Sequence, residues 1–442
     1  MEIEKQGISQ GFITPVYDVE DKPPLREAVP LGLQHVLAMF AGNITVPIII
    51  AGALGLGTGE TGFLIQMAMF VAGLATLLQT ISIGRVGGKL PIVMGTSFGF
   101  VPTSIAIGGQ FGIAGILGAS FVAGWFEVVL GYFLKPLRKW FPPIVTGTVV
   151  LTIGLSLLPV GIKYAAGGVG AKDFGAFHNL FLAGLVLIIT VVLNQYGKGI
   201  WSQASILIGM IVGYLIAIPM GLVSFASVAS ASWFEFPRPF AFGMEFHISA
   251  IFAMLILYIV TTVETVGDIS GITMGGAGRE ATDRELSGGV MADGVGSIFA
   301  AVFNALPNTS FSQNVGLVSF TGVMSRYVVS IGALFLVAAG FIPKLGAVLA
   351  VMPQAVLGGG AIVMFATIAT SGIVLISSSE LNRRNLLVVA VSLGLGLGLG
   401  QVPDALQYLP DSVNLIFSGS GITVSCLVAL LLNSVLPKEA SS

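Results

Sequence analysis

Apolar stretches long enough to cross a membrane recur along the whole chain, separated by short turns rich in glycine, proline or charge. A helix spanning the hydrocarbon layer takes about 20 mostly apolar residues. On that measure fourteen segments are expected, at 30–51, 62–83, 91–109, 112–134, 142–161, 177–194, 203–222, 248–269, 287–304, 307–322, 327–350, 353–376, 385–401 and 413–436. No polar linker or low-complexity tract divides them, so the chain reads as one all-α polytopic membrane body. Residues 1–28 are polar, with Glu2, Glu4, Asp18, Glu20 and Asp21. They lack the basic start and apolar core of a cleaved signal, and a cytosolic tail is expected.

Composition agrees: of 442 residues 55% are apolar and 9% charged, where a soluble domain carries about 25% charged residues. The net charge of −2 and the absence of a basic run leave no nucleic-acid footprint. The basic residues also orient the segments, because short cytoplasmic loops collect Lys and Arg. With the N-terminus inside, fifteen fall on that side: Lys5, Lys22, Arg26, Arg85, Lys89, Lys135, Arg138, Lys139, Lys198, Arg279, Arg284, Arg326, Arg383, Arg384 and Lys438. Four fall outside: Lys163, Lys172, Arg238 and Lys344. The split favours an even number of spans with both ends cytosolic. The single cysteine, Cys426, lies in an apolar run and is expected to be a buried small residue, with no disulfide and no metal cluster. Neither a nucleophile–base pair nor HExxH nor a phosphate loop occurs, so no enzyme and no cofactor are expected. The glycines from Gly394 to Gly400 are followed by no lysine and suit close helix packing.

The chain carries an internal repeat. Placing 142–162 on 353–373 superposes Pro142 on Pro353, Val145 on Val356, Gly147 on Gly358, Gly161 on Gly372 and Ile162 on Ile373, an offset of 211 residues. Thr96-Ser97-Phe98 returns as Thr309-Ser310-Phe311 at an offset of 213, each downstream of a Leu-Pro. Two halves of seven spans each would be inverted with respect to one another, the pattern of secondary transporters. Paired short segments interrupted by Gly and Pro mark the binding site in such folds. Here they are the third, Pro91 to Pro102, and the tenth, Pro307 to Gly316, both expected to be discontinuous, with short extended stretches. Irregular backbone is tolerated at membrane depth only where protein or a wet cavity satisfies it.

Ionisable side chains within the segments are few: His35, Glu127, Glu264, Asp268 and Asp293. Each costs about 2.5–3.5 kcal/mol or more at the bilayer centre, so each calls for a partner or a function. Glu264 and Asp268 stand four apart, which puts both carboxylates on one helix face. Such a pair suits a proton relay or the acceptance of substrate N–H groups; the alternative is a pair near a helix end, solvated by the loop that carries Arg279. Asp293 is expected near the start of its span, where it either partners a helix N-terminus or serves structurally or in proton transfer. His35, beside Gln34, either titrates or hydrogen-bonds inside the bundle. Glu127 is expected to be a packing residue paired with a nearby hydroxyl.

Gln313-Asn314-Val315-Gly316, followed after four residues by Thr321-Gly322, resembles the signature of the nucleobase–ascorbate transporter family. That signature reads Gln or Glu, Asn-x-Gly, four residues, then Thr and Gly or a basic residue. Gln34-His35, Gly95 to Phe98, Glu264 to Asp268 and Asp293 stand in the family's order, and the likeness runs from about Pro24 to Leu436. The resemblance implies fourteen spans in two inverted seven-span repeats, with a core domain of spans 1–4 and 8–11 and a gate domain of spans 5–7 and 12–14. In this chain the core would be residues 29–135 and 248–350, and the gate 136–225 and 351–437. It further implies a base held by Glu264, Gln313 and Phe98 with backbone around Ser312, Asn314 and Asp293 in support, and Asp268, Asp293 and His35 in proton coupling or structure. Transport would be driven by a proton gradient, or by sodium as in some members, with elevator-like alternating access in a homodimer of the cytoplasmic membrane. Glutamine at position 313 resembles members selecting xanthine or uric acid, where uracil permeases look to have glutamate. An amide offers both donor and acceptor to a purine edge. Xanthine, uric acid and guanine are not separated; uracil permeases and anion transporters of the same fold remain as alternatives. An anion transporter would want a basic residue or helix N-termini at the site, and this site is acidic and amide-rich.

Overall fold

A computed structural model describes residues 15–137, 140–417 and 421–437. Glu2, Glu4, Lys5, Arg138, Lys139 and Lys438 lie outside the described residues. The chain is almost wholly helical. Helix α1 (Leu25–Ala53) follows Pro24 and is joined by a short turn to α2 (Thr58–Ile81). Helix α2 begins on a backbone-to-carboxylate bond from Gly57 N–H to Glu60 Oε2 at 2.9 Å. Then comes a strand, β1 (Met94–Thr96), and a 3-10 turn, Phe98–Phe100, that runs into α3 (Val101–Tyr132). Gly112, at φ 65° and ψ −175°, breaks α3 into two helical halves. That break falls at the first residue of the fourth expected segment.

Next are α4 (Pro143–Ala165), α5 (Phe177–Tyr196), α6 (Ser205–Ala217) and α7 (Ile248–Ala277). Helix α8 (Asp283–Val302) starts on a capping box, with Glu285 N–H donating to Thr282 Oγ1 at 3.2 Å and Thr282 N–H donating to Glu285 Oε2 at 2.8 Å. Strand β2 (Asn308–Ser310) leads into α9 (Ser312–Thr321), which ends at Gly322 in the left-handed region, φ 68°. Helix α10 (Arg326–Ala339) bends by 83° into α11 (Pro343–Ala350), and α12 (Gln354–Ser377), α13 (Arg383–Gln401) and α14 (Gly421–Val435) complete the set.

Among the described residues, eight helices are long and apolar enough to cross a membrane, and the bent pair would make a ninth. Helices α6 and α14 are apolar but shorter. The expected spans at 287–304 and 307–322 fall on α8 and on β2 with α9. The protein is a multi-pass membrane protein.

Two close helix contacts frame the interior. Helix α4 lies along α12 with glycines at the crossing: a Cβ on Gly154 would sit 2.7 Å from both the Phe365 carbonyl oxygen and Ala369 Cα. Backbone on both sides leaves nothing to yield. Gly154→Leu is therefore expected to lower the yield of monodisperse, membrane-extracted protein severalfold, since overpacking costs about 1–3 kcal/mol or more. Gly394→Ala, which meets nothing within 4 Å, is expected to leave that yield unchanged; size-exclusion profiles of the two variants check both. The glycine stretch in α13 thus divides by helical phase. A Cβ on Gly396 would lie 2.7 Å from the Gly421 carbonyl oxygen of α14 and one on Gly400 3.3 Å from Gly421 Cα, but Cβ atoms on Gly394 and Gly398 would meet open space. Close packing explains one face of the stretch.

Candidate functional site

β1 and β2 pair antiparallel deep inside the bundle, Met94 opposite Ser310, Gly95 opposite Thr309 and Thr96 opposite Asn308. Two more backbone bonds extend the pair, Ser97 N–H to Pro307 O and Phe311 N–H to Val93 O, each 3.0 Å. Side chains from neighbouring helices satisfy the outer edges. Asn43 of α1 accepts the Thr96 N–H at 2.8 Å, Thr76 of α2 accepts the Met94 N–H at 2.9 Å, and Ser297 of α8 accepts the Asn308 N–H at 3.1 Å. Extended backbone survives at this depth because other protein groups replace water. A helix begins directly after each strand, at Phe98 and at Ser312. The helix starts therefore border one small recess of about 20 Å³, room for about one water, lined by Thr96, Ser97, Phe98, Glu264, Ser312 and Gln313 among others.

Helix α7 brings carboxylates to this recess. Thr261, Thr265 and Asp268 share a face at helical spacing, and Glu264 stands beside them. Asp268 accepts the Ser310 hydroxyl at 2.6 Å and also bonds the Ser312 hydroxyl. Asp293, fully buried on α8, accepts the hydroxyls of Thr265 and, at 3.4 Å, of Thr309. Glu127, fully buried on α3, accepts from Thr261 at 3.1 Å and Thr262 at 3.3 Å. Hydroxyl donors thus hold three of the four acids. Glu264 differs: its Oε2 is buried without a partner and its carboxylate faces the cavity. The Gln313 amide has no hydrogen-bond partner among the described residues.

The recess opens into a cavity of about 970 Å³ bordered by Glu264, Asp268, Ser312 and Gln313 on one side and by Val150 of α4 and Thr367 of α12 on the other. Asn194, Gln195, Lys198 and Gln203 line it as well. Ile368 lines both spaces and Ile153 the inner one. The buried ring of Phe98 meets Phe365 edge to face, centroids 5.2 Å apart. An acceptor, an amide, two helix starts and apolar walls converge on one point, an arrangement fit for a flat polar ring.

Of the residues singled out in the sequence, Glu264, Gln313, Phe98, Ser312 and Asp268 meet at this point. Asn314 and His35 do not line it. They bond each other behind it, Asn314 Nδ2 to His35 Nδ1 at 3.0 Å and to the His35 carbonyl at 3.1 Å, tying α9 to α1. Asp293 stands in the middle of α8 instead of near its start, because α8 begins at the capping box several residues upstream. Arg279 does not solvate Glu264 and Asp268: its guanidinium is bound to Glu285 at 2.6 and 2.9 Å. Sequence reasoning missed Thr265, Thr309, Ser310, Ile153 and Ile368. The recurrence of Thr-Ser-Phe was the available signal for two of them. No cluster of His, Cys, Asp and Glu fit to hold a metal occurs among the described residues.

Residues 26–405 match the model of a family described as the Permease family. A putative purine permease of Clostridium perfringens is 44% identical over 100% of this chain and 97% of its own length. The xanthine permease of Bacillus subtilis is 40% identical over 92% of this chain and 93% of its own, and that organism's uric acid permease PucJ is 40% identical over 91% of each. Among solved structures, the murine solute carrier 26 member A9 anion transporter in the inward-facing state superposes with a TM-score of 0.62 at 13% identity, covering 93% of this chain and 69% of that one. That likeness concerns the fold alone.

Proposed function

The chain belongs to the nucleobase–ascorbate transporter family and is a nucleobase transporter; on that premise we propose that it imports xanthine or uric acid by proton symport across the cytoplasmic membrane. The observation that carries the reading is the pairing of an unpartnered Glu264 carboxylate with a free Gln313 amide at the mouth of one recess. The carboxylate accepts the base's N–H groups. The amide gives a donor and an acceptor to its carbonyl and N–H edge. The N–H groups at the starts of the Phe98 turn and α9 take a further carbonyl, and Phe98 covers the ring face. The acids on α7 and α8 supply the proton sites, with sodium as the alternative coupling ion.

We read the fold as fourteen spans in two inverted repeats. Support comes from the strand pair: shifting by 214 residues carries Val93 onto Pro307 and Ser97 onto Phe311, so each flanking backbone bond becomes the other. This is one residue from the offset found in the sequence. The helix contact behaves alike, since Gly147 of α4 packs on Gly372 of α12 and Gly358 on Tyr164 and Ala165. Glu264, Gln313 and Phe98 come from the proposed core, 29–135 with 248–350. Ile153, Ile368 and Thr367 come from the proposed gate, 136–225 with 351–437. A site between two bodies suits an elevator, in which the core carries the base past a fixed gate and the present cavity faces the cytosol. Cytosolic termini, with the tail at 1–28, and a homodimer belong to the same reading, the former supported by the charge split and the latter by family resemblance.

Radiolabelled xanthine uptake into cells expressing the chain is expected to be saturable, blocked by excess uric acid, little affected by uracil and collapsed by a protonophore. Inhibition by uracil instead of uric acid would overturn the substrate assignment. Uptake indifferent to the protonophore would overturn proton coupling.

A further inference from the structure

Glu127 lies outside the substrate site, yet its surroundings are not those of a packing residue. It is fully buried, its Oε1 receives both threonine hydroxyls, and its Oε2 faces no donor at all. Asp293 is in the same condition, with Oδ2 bonded and Oδ1 bare. The two acids are brought close by a tight part of the α3–α8 contact. A Cβ on Gly294 would lie 2.7 Å from the Gly124 carbonyl oxygen, and one on Gly124 would lie 3.0 Å from that of Gly294. Glu127 follows Gly124 by one turn, and Asp293 adjoins Gly294.

The titratable groups that face Glu127 from the packed helices are Asp293 on α8 and Tyr258 and Glu264 on α7, and Asp268 of α7 faces Asp293. All are acids. No ion pair among the described residues involves any of them. Two buried carboxylates with a bare oxygen each and no cation are costly. One proton on either carboxylate removes a charge from the pair.

We propose that Glu127 and Asp293 together hold one exchangeable proton, and that this pair, set behind the substrate site, stores the proton that drives transport. The inference rests on the proton-symport reading above. The hydroxyls lay out a route: Ser310, at the recess, donates to Asp268 at 2.6 Å and on turning reaches Thr265, 3.4 Å away, and Thr265 donates to Asp293. A proton enters from cavity water, passes along these hydroxyls to a carboxylate of the pair, and leaves by the same route to water on the other side. Glu264 stays free to bind the base. Glu127 is a proton-holding residue that does not touch substrate.

The test uses the full chain in liposomes, following radiolabelled xanthine and, with an enclosed pH dye, proton entry. Glu127→Gln keeps an acceptor oxygen for Thr261 and Thr262 but removes the titrating group. It is expected to exchange labelled for unlabelled xanthine within about twofold of wild type. Accumulation driven by a pH gradient should fall at least tenfold, with no proton entry and a flattened pH profile. A variant that accumulates xanthine like wild type with the same pH profile overturns the inference and leaves symport standing. A variant that loses exchange and accumulation together also overturns it, since Glu127 would then be structural. Wild-type protein that moves xanthine without proton entry overturns the symport reading itself, and the inference with it.

Discussion

Glutamine in place of Glu264 is expected to leave the protein in the membrane and to abolish nucleobase uptake. Glu264 is the one acid of the four whose carboxylate has no internal donor, with Oε2 buried and unpartnered at the cavity. The base's N–H groups are the donors it awaits. Glutamine keeps one oxygen but turns an N–H donor toward the same groups. Hydrogen bonds to a charged acceptor contribute about 1.5–3 kcal/mol, and an unsatisfied buried donor costs about 1–3 kcal/mol more. Together these come to about 2.5–6 kcal/mol, roughly two to four factors of ten. Folding should be spared, because no bond inside the protein depends on the charge of Glu264. Uptake normalised to membrane amount checks this, and wild-type transport by the variant would remove Glu264 from the site.

Gln313→Glu is expected to lower xanthine uptake at least tenfold. The substitution keeps the side-chain length and one acceptor oxygen but removes the amide donor and brings a second carboxylate beside Glu264. A purine carbonyl facing it loses a hydrogen bond and meets repulsion. About 1.4 kcal/mol is a factor of ten, and one such unpaired group costs that much. Competition by uracil should rise relative to wild type, because the carboxylate only accepts N–H groups where the amide also donates. Unchanged affinity and ligand range in Gln313→Glu would show that another group reads the base.

Much of this site is legible in the sequence because membrane depth makes polar residues conspicuous. Glu264, Asp268 and Gln313 stand out against apolar neighbours, and Pro, Gly and hydroxyls mark the two interrupted segments whose strands pair at 94–96 and 308–310. What failed to show has a physical cause in each case. Asp293 was placed near a helix start because apolar periodicity begins late in α8, whereas the capping box at Thr282 sets the true start. Thr265, Thr309 and Ser310 look like filler in a membrane chain, and only the fold sets their hydroxyls on carboxylates. Glu127 was expected to pair with a hydroxyl and does, but its bare second oxygen depends on a helix crossing that no local pattern records. The role of Asn314 is likewise three-dimensional, since a residue adjacent to Gln313 on a helix points about 100° away and meets His35.

The central claim, that the base binds where α9 begins beside Glu264, is open to a direct chemical test. The one native cysteine, Cys426, is buried. A single new thiol can therefore report alone. In membranes holding Ser312→Cys, a variant first confirmed to transport, saturating xanthine is expected to slow maleimide labelling of the new cysteine at least tenfold, while the same concentration of uracil leaves it nearly unchanged. Labelling at the same rate with and without saturating xanthine would contradict that placement of the base.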